Sequence, residues 1–189
     1  MTDESAIRLV MNGDTHAFSE IVDRYRDSVF GMALRFTGNQ SDAQDISQEI
    51  FVRVYGNLNR YNGKSKFSTW LYRISYNLCI DWTRKYSKDR LSTGFTDNDL
   101  EIPDSRAGPE DTYFEMQQRK ELKKAINSLK DKYRNILILF YYQGFSYEVI
   151  GDILEMPVKT VETQLYRARK QLRSRLAGES EGGMPDEMP

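Results

Sequence analysis

The chain has 189 residues, 28 acidic against 27 basic, and a formal net charge of −1. Its 39% hydrophobic content suffices for one large or two small cores. A single cysteine, Cys79, excludes an internal disulfide framework and a cysteine-rich zinc site, and a single histidine, His16, argues against a histidine metal site or catalytic triad. No stretch approaches the roughly 18 apolar residues of a membrane span. The acidic start MTDESAIRLV has no secretory apolar run, so a cytoplasmic location without membrane insertion is expected. Phosphate loops, dinucleotide fingerprints and nucleophile elbows are missing, so no catalytic residue, metal or cofactor is predicted.

The near-zero net charge conceals segregation. Residues 61–90 carry +5 and residues 158–176 carry +5, whereas residues 91–111 carry −5. Two basic blocks around an acidic one suggest two nucleic-acid surfaces on one chain.

In chain order, a short helix is predicted from Asp3 to Asn12, closed by Gly13. Asp14 suits the cap of a second helix ending at Thr37, with Phe18, Ile21, Val22, Tyr25, Val29, Met32 and Leu34 inward. Ser41-Asp42-Ala43-Gln44 reads as a capping box opening a third helix, which buries Ala43, Ile46, Ile50, Val54 and Leu58. Its free face holds Asp42, Asp45, Gln48 and Glu49. The acids either compensate the helix dipole or form a docking face for a basic partner.

A loop, NRYNGKSK, follows at 59–66, with Gly63 at a tight turn and Ser65 as a cap. The fourth helix begins near Lys66 and points Phe67, Leu71, Ile74 and Leu78 inward. Its remaining faces interleave Trp70, Tyr72, Tyr76, Trp82 and Tyr86 with Arg73, Arg84, Lys85 and Lys88. Rings beside cations make a stacking platform for unpaired bases with a track for phosphates. Core packing explains Trp70 and Trp82 equally well.

Residues 87–111 lose apolar periodicity and read as an acidic, flexible linker. A second helical domain follows. One helix begins at Pro109-Glu110-Asp111 and buries Phe114, Leu122, Ala125, Ile126 and Leu129; another runs from Asp131 to Tyr142 and stops at Gly144. The stretch Ser146–Leu176 then reads as two helices and a turn. Ser146 caps the first, which buries Val149, Ile150, Ile153 and Leu154, and Pro157 opens the second. The second buries Val158, Val161, Leu165, Ala168, Leu172 and Leu176 and carries six Lys/Arg against one Glu. This is the pattern of a helix-turn-helix, whose second helix lies in a DNA major groove. An ordinary helical hairpin with a solvated basic face is the alternative. The tail 178–189 is acidic and expected to be disordered.

Three segments together, DAQDISQEIFVRVY at 42–55, YNGKSKFSTWLYRISYNLCIDW at 61–82 and SYEVIGDIL…PVKTVETQLYRARKQL at 146–172, resemble the extracytoplasmic-function sigma factors of the sigma-70 family. The resemblance covers about residues 5–176 and implies an all-α fold of two small domains joined by a flexible acidic linker. It implies a non-enzymatic promoter-recognition subunit, with core RNA polymerase and promoter DNA as partners and room for an anti-sigma factor. Residues 1–90 would bind polymerase and the minus-ten element, 91–111 would thread toward the RNA exit channel, and 112–177 would bind the minus-thirty-five element. Asp45, Gln48 and Glu49 fall where the family docks on polymerase. Tyr61, Asn62, Gly63, Lys64, Ser65, Lys66 and Phe67 resemble the loop that captures a flipped minus-ten base, and Arg73, Asn77, Arg84 and Lys85 join it as DNA contacts. Lys159, Thr160, Glu162, Thr163, Tyr166, Arg167, Lys170 and Arg173 fall on the minus-thirty-five reader. Glu162 and Gln164 depart from the basic residues frequent there, and Glu155 occupies a turn where Gly is common. The competing readings are a stand-alone helix-turn-helix regulator of duplex DNA and a protein-binding adaptor.

Overall fold

The computed structural model describes residues 1–92 and 113–177, with side chains for 1–86, 118 and 121–177. Among these residues all regular structure is helical. The expected linker beyond Ser92, the tail 178–189 and the side chain of Phe114 lie outside the described residues. The chain divides into two units. The first contains α1 (Asp3–Met11), α2 (Ala17–Thr37), α3 (Gln40–Gly56) and α4 (Phe67–Ser92).

Helix α1 starts where the Thr2 hydroxyl accepts the Ser5 N–H, with Asp3 and Glu4 in the first turn to complement its dipole. Asp14 has a different role from the expected cap. Its carboxylate accepts the His16 N–H at 3.1 Å, ordering a turn from which α2 departs at Ala17. The start of α3 is also displaced from the expected Ser41. Asn39 is the N-cap, accepting the Asp42 N–H at 2.8 Å, while the Asn39 amide donates to the Asp42 carboxylate. The cap thus forms two residues before the predicted box; it satisfies the Asp42 N–H, and the Asp42 carboxylate in turn holds the capping side chain.

Helix α2 packs against α1, α3 and α4 and forms the centre of this unit. Ile21, Val29, Met32, Ile50, Val54, Phe67 and Leu71 are sealed from solvent. Each such burial contributes about 1.5–3 kcal/mol. Phe36, Ala33 and Tyr72 are buried as well, and Ile74 is only half-buried. The Ser75 hydroxyl, buried in α4, donates back to the Leu71 carbonyl at 2.9 Å.

The second unit contains α5 (Tyr113–Asn127), α6 (Asp131–Leu137), the first five residues of α7 (Tyr147–Leu154) and α8 (Val158–Leu176). Helix α6 widens into a π turn over Ile138–Tyr142, where the sequence predicted one continuous helix. Helix α8 packs on α5 and α6. Its inward stripe is buried only over Val161, Leu165 and Ala168; Val158 and Leu176 are exposed and Leu172 is half-buried. Leu122 of α5 is exposed too. Periodicity decides which face of a helix turns inward, but not how far along it the covering neighbours reach.

Candidate functional site

The first surface is the outward face of α3. Asp45, Gln48 and Glu49 are all exposed. Dipole compensation accounts for Asp42, which is engaged at the helix start, but not for carboxylates beyond the first turn. Glu49 pairs with Arg53 at 3.0 Å, an exposed i,i+4 contact of about 0.3–0.5 kcal/mol. Val52, 72% exposed, and Tyr55 continue the face with apolar surface that charge-based reading passed over.

The second surface is the 61–67 loop and the stripe of α4 that leads from it. A 3-10 turn, Leu58–Arg60, delivers the chain to Tyr61. The Tyr61 hydroxyl donates to the Ser65 carbonyl at 2.8 Å and closes the loop. Asn62 accepts the Lys64 N–H at 3.1 Å, and Gly63 takes φ +71°, a left-handed conformation that side chains resist. Burial, with the charges of Glu4 and Asp3, pushes the Tyr61 phenol above its ordinary pKa, so it stays a protonated donor. Asn62, Lys64 and Lys66 are exposed and Ser65 is half-buried. Phe67, grouped in sequence with the DNA contacts, is instead a core residue at 1% exposure. Its ring meets Tyr61 edge-on at 5.5 Å and Trp70 at 5.8 Å.

Along α4, Trp70, Arg73, Asn77 and Arg84 recur at steps of three, four and seven and share one face. Asn77 and Arg84 are exposed, and Arg73 and Trp70 half-buried. Lys85 lies beside them with its ammonium 5.2 Å from the Tyr86 ring. The expected aromatic platform is smaller than the sequence suggested. Tyr72 is buried against Tyr25, and Tyr76 is half-buried against Phe36 at 5.8 Å. Trp82 and Tyr86 stack at 4.9 Å beside a shallow groove of about 250 Å³ between α3 and α4.

The third surface is α8. Ser146 caps α7 by accepting the Val149 N–H. Glu148 is held below the usual carboxylate range by hydrogen bonds from Ser146 and from its own backbone. Glu155 sits at φ 53°, the left-handed conformation that its side chain disfavours. Gly151 allows that turn to close, since a Cβ there would stand 2.9 Å from the Met156 carbonyl oxygen. Lys159, Glu162, Thr163, Tyr166, Arg167, Lys170 and Arg173 are exposed, and Thr160 is half-buried. The Thr163 hydroxyl donates to the Lys159 carbonyl at 2.9 Å, which leaves its oxygen free to accept. Two of the six cations turn back on the unit. Arg169 donates to the Tyr141 hydroxyl at 2.8 Å and lies over the Phe140 ring, and Arg175 donates to the Ser128 hydroxyl at 2.7 Å. Lys159, Arg167, Lys170 and Arg173 are left as the outward cations, over about 21 Å of helix.

Among the described residues no cluster of three His, Cys, Asp or Glu could hold a metal. Cys79 is sealed, and burial pushes its thiol up to about 12, so it is an unreactive core residue. No described helix is long and apolar enough to cross a membrane.

Residues 21–89 match the family model of Sigma-70 region 2, and residues 119–172 that of Sigma-70, region 4. The chain is 38% identical over 183 residues to the ECF RNA polymerase sigma factor SigW of Bacillus subtilis, covering 93% of this chain and 97% of that one. It is 29% identical over 182 residues to the ECF RNA polymerase sigma-E factor of Escherichia coli, covering 93% and 95%. Among solved structures, CnrH in complex with the cytosolic domain of CnrY aligns with a TM-score of 0.69 at 23% identity, covering 94% and 99%. The sigma factor RpoE in complex with the anti-sigma factor NepR from Bartonella quintana aligns at 0.62 and 21% identity, covering 86% and 98%.

Proposed function

The chain belongs to the extracytoplasmic-function sigma factors of the sigma-70 family, and we propose that it directs initiation through three surfaces with separate tasks. As an alternative sigma factor it joins core RNA polymerase to promoter DNA. The α3 face, with Asp45, Gln48 and Glu49, docks on a basic-rimmed element of the polymerase. The 61–67 loop and the stripe Trp70–Arg73–Asn77–Arg84 hold the minus-ten element as a single strand, with Lys85 near its phosphates. The outward face of α8 reads the minus-thirty-five element as duplex. Residues 1–90 and 112–177 are thus the two promoter-reading halves. The protein works by binding, in the cytoplasm beside the polymerase, and performs no chemistry of its own. An anti-sigma factor is a further partner of the same surfaces.

The observation that carries this reading is the pairing of unlike surfaces in one chain. A closed loop with half-buried rings suits splayed bases, while a straight helix with four outward cations suits a groove. The test is to add core polymerase and measure promoter binding and initiation. Both should become promoter-specific only in its presence. Equal specificity without polymerase would point to a stand-alone regulator of duplex DNA.

A further inference from the structure

Helix α1 carries none of the residues assigned to the three surfaces, yet it is tied to the loop through part-buried groups. The Asp3 carboxylate pairs with Arg24 and accepts the Tyr25 hydroxyl at 2.5 Å. Arg24 also donates to the Met1 carbonyl. Tyr25 is 9% exposed, so this bond is partly shielded from water, where breaking it leaves a polar group unmet. The Tyr25 ring lies edge-on to Phe67 at 5.9 Å, and Phe67 lies edge-on to Tyr61 at 5.5 Å. Tyr61 is the residue whose hydroxyl closes the loop on Ser65. A second route is shorter: α1 packs directly on the Leu58–Arg60 turn that delivers the chain to Tyr61.

We infer that Asp3, Tyr25 and Phe67 are positioning residues for the minus-ten loop, with α1 as the brace that fixes where the Tyr61 ring stands. The inference rests on the reading of that loop as a base pocket. A pocket that discriminates bases must hold its walls to within about half an ångström, which a surface loop achieves only with packed support behind it. Without the Asp3 bond, the Tyr25 ring loses a polar anchor, and the edge-on contacts to Phe67 and Tyr61 lose their reference. Base selectivity would then depend on a carboxylate that never meets DNA.

The experiment uses the full chain, free and in holoenzyme. Tyr25→Phe removes only the hydroxyl and keeps the ring; Asp3→Asn keeps an acceptor and serves as the conservative variant. Amide hydrogen exchange over residues 61–67 should quicken several-fold in Tyr25→Phe, with α3 exchange and the helical signal unchanged. Asp3→Asn should stay close to the parent. On pre-melted templates, Tyr25→Phe holoenzyme should lose several-fold of its preference for matched over mismatched minus-ten bases while binding core polymerase normally. Unchanged exchange over 61–67 in Tyr25→Phe overturns the brace. Tyr61→Ala isolates the underlying reading: if it leaves minus-ten preference intact, the loop is not the base pocket, whatever the exchange data show for α1.

Discussion

The loop with its α4 stripe and the outward face of α8, the two surfaces proposed to bind DNA, are built on opposite plans. In the first, the important groups are continuous with the core: Phe67 is sealed, Tyr61 leans on it, and Trp70 is half-buried beside both. In the second, the core stops at Val161, Leu165 and Ala168, and the proposed readers stand out from it. The difference follows from the target. An unpaired base is recognised by a pocket, and a pocket must be held by packing. A duplex groove is already shaped, so a rigid rod with correctly spaced side chains suffices. Stability and recognition are therefore entangled in the first surface and separable in the second.

The sharpest way to break that contrast is to delete one ring from each. Phe67→Ala should cost about 3–5 kcal/mol of stability in the first unit and disable the loop with it. Tyr166→Ala removes a ring that is 68% exposed and should change stability by no more than about 0.5 kcal/mol. Thermal or urea melts of the full chain decide it. Equal destabilisation by both would mean that α8 is as entangled with its core as the loop.

The docking face should behave like α8, separable from stability although it lies on the first unit. Asp45→Lys with Glu49→Lys replaces two exposed acids beyond the first turn of α3. It should abolish holoenzyme formation while the helical signal stays intact. Undiminished affinity for core polymerase would remove the α3 face from the docking surface.

The contrast also explains what was legible in the sequence. Inward stripes came through because they repeat within one helix: Ala43, Ile46, Ile50 and Val54 are buried as predicted. The failures are long-range. Tyr72 had the composition of a stacking platform, but Tyr25, far away in sequence, claims its ring. Arg169 was one of six cations counted on α8, and its engagement by Tyr141 on the π turn was not visible from the count. The start of α3 moved from Ser41 to Asn39, whose side chain caps the Asp42 N–H and is itself held by the Asp42 carboxylate. Glu155 was legible as a misfit and does adopt the left-handed turn, in which the Met156 carbonyl comes within 2.9 Å of where a Cβ on Gly151 would stand.

Asn77 tests the first surface without touching its core, because it is exposed on the α4 stripe. Asn77→Ala should impair opening of duplex promoters by an amount within the roughly 1–3 kcal/mol of one base contact. A pre-melted template should relieve the part of the defect that lies in opening. Normal opening of duplex promoters would take Asn77 off the single-strand track.

Within α8 the smaller effects separate base readers from phosphate contacts. Arg167 stands outward in the half of α8 proposed to approach base edges, with Lys170 and Arg173 proposed to follow toward the backbone. Arg167→Ala should cost about 1–3 kcal/mol at one base position. Lys170→Ala should weaken all sequences alike and lower the salt slope by about one unit. Glu162 is the residue that tests the separation itself. It is exposed, one turn before Tyr166 and Arg167, on the margin of the same face. A carboxylate there has two possible dealings with DNA: accepting from a cytosine amino group, which is specific, or repelling phosphate, which is not. Glu162→Lys distinguishes them because the two energies respond differently to salt. A lost base contact changes preference at one promoter position and leaves the salt slope nearly alone. Relief of repulsion tightens binding to every sequence and steepens the slope, since a new cation releases another counterion. On this assignment Lys170 and Arg173 already supply phosphate attraction that outweighs one acid, so the specific outcome is expected. Holoenzyme binding to minus-thirty-five variants at two salt concentrations reads both quantities at once, and uniform tightening with a steeper slope would make Glu162 a brake on affinity instead of a reader.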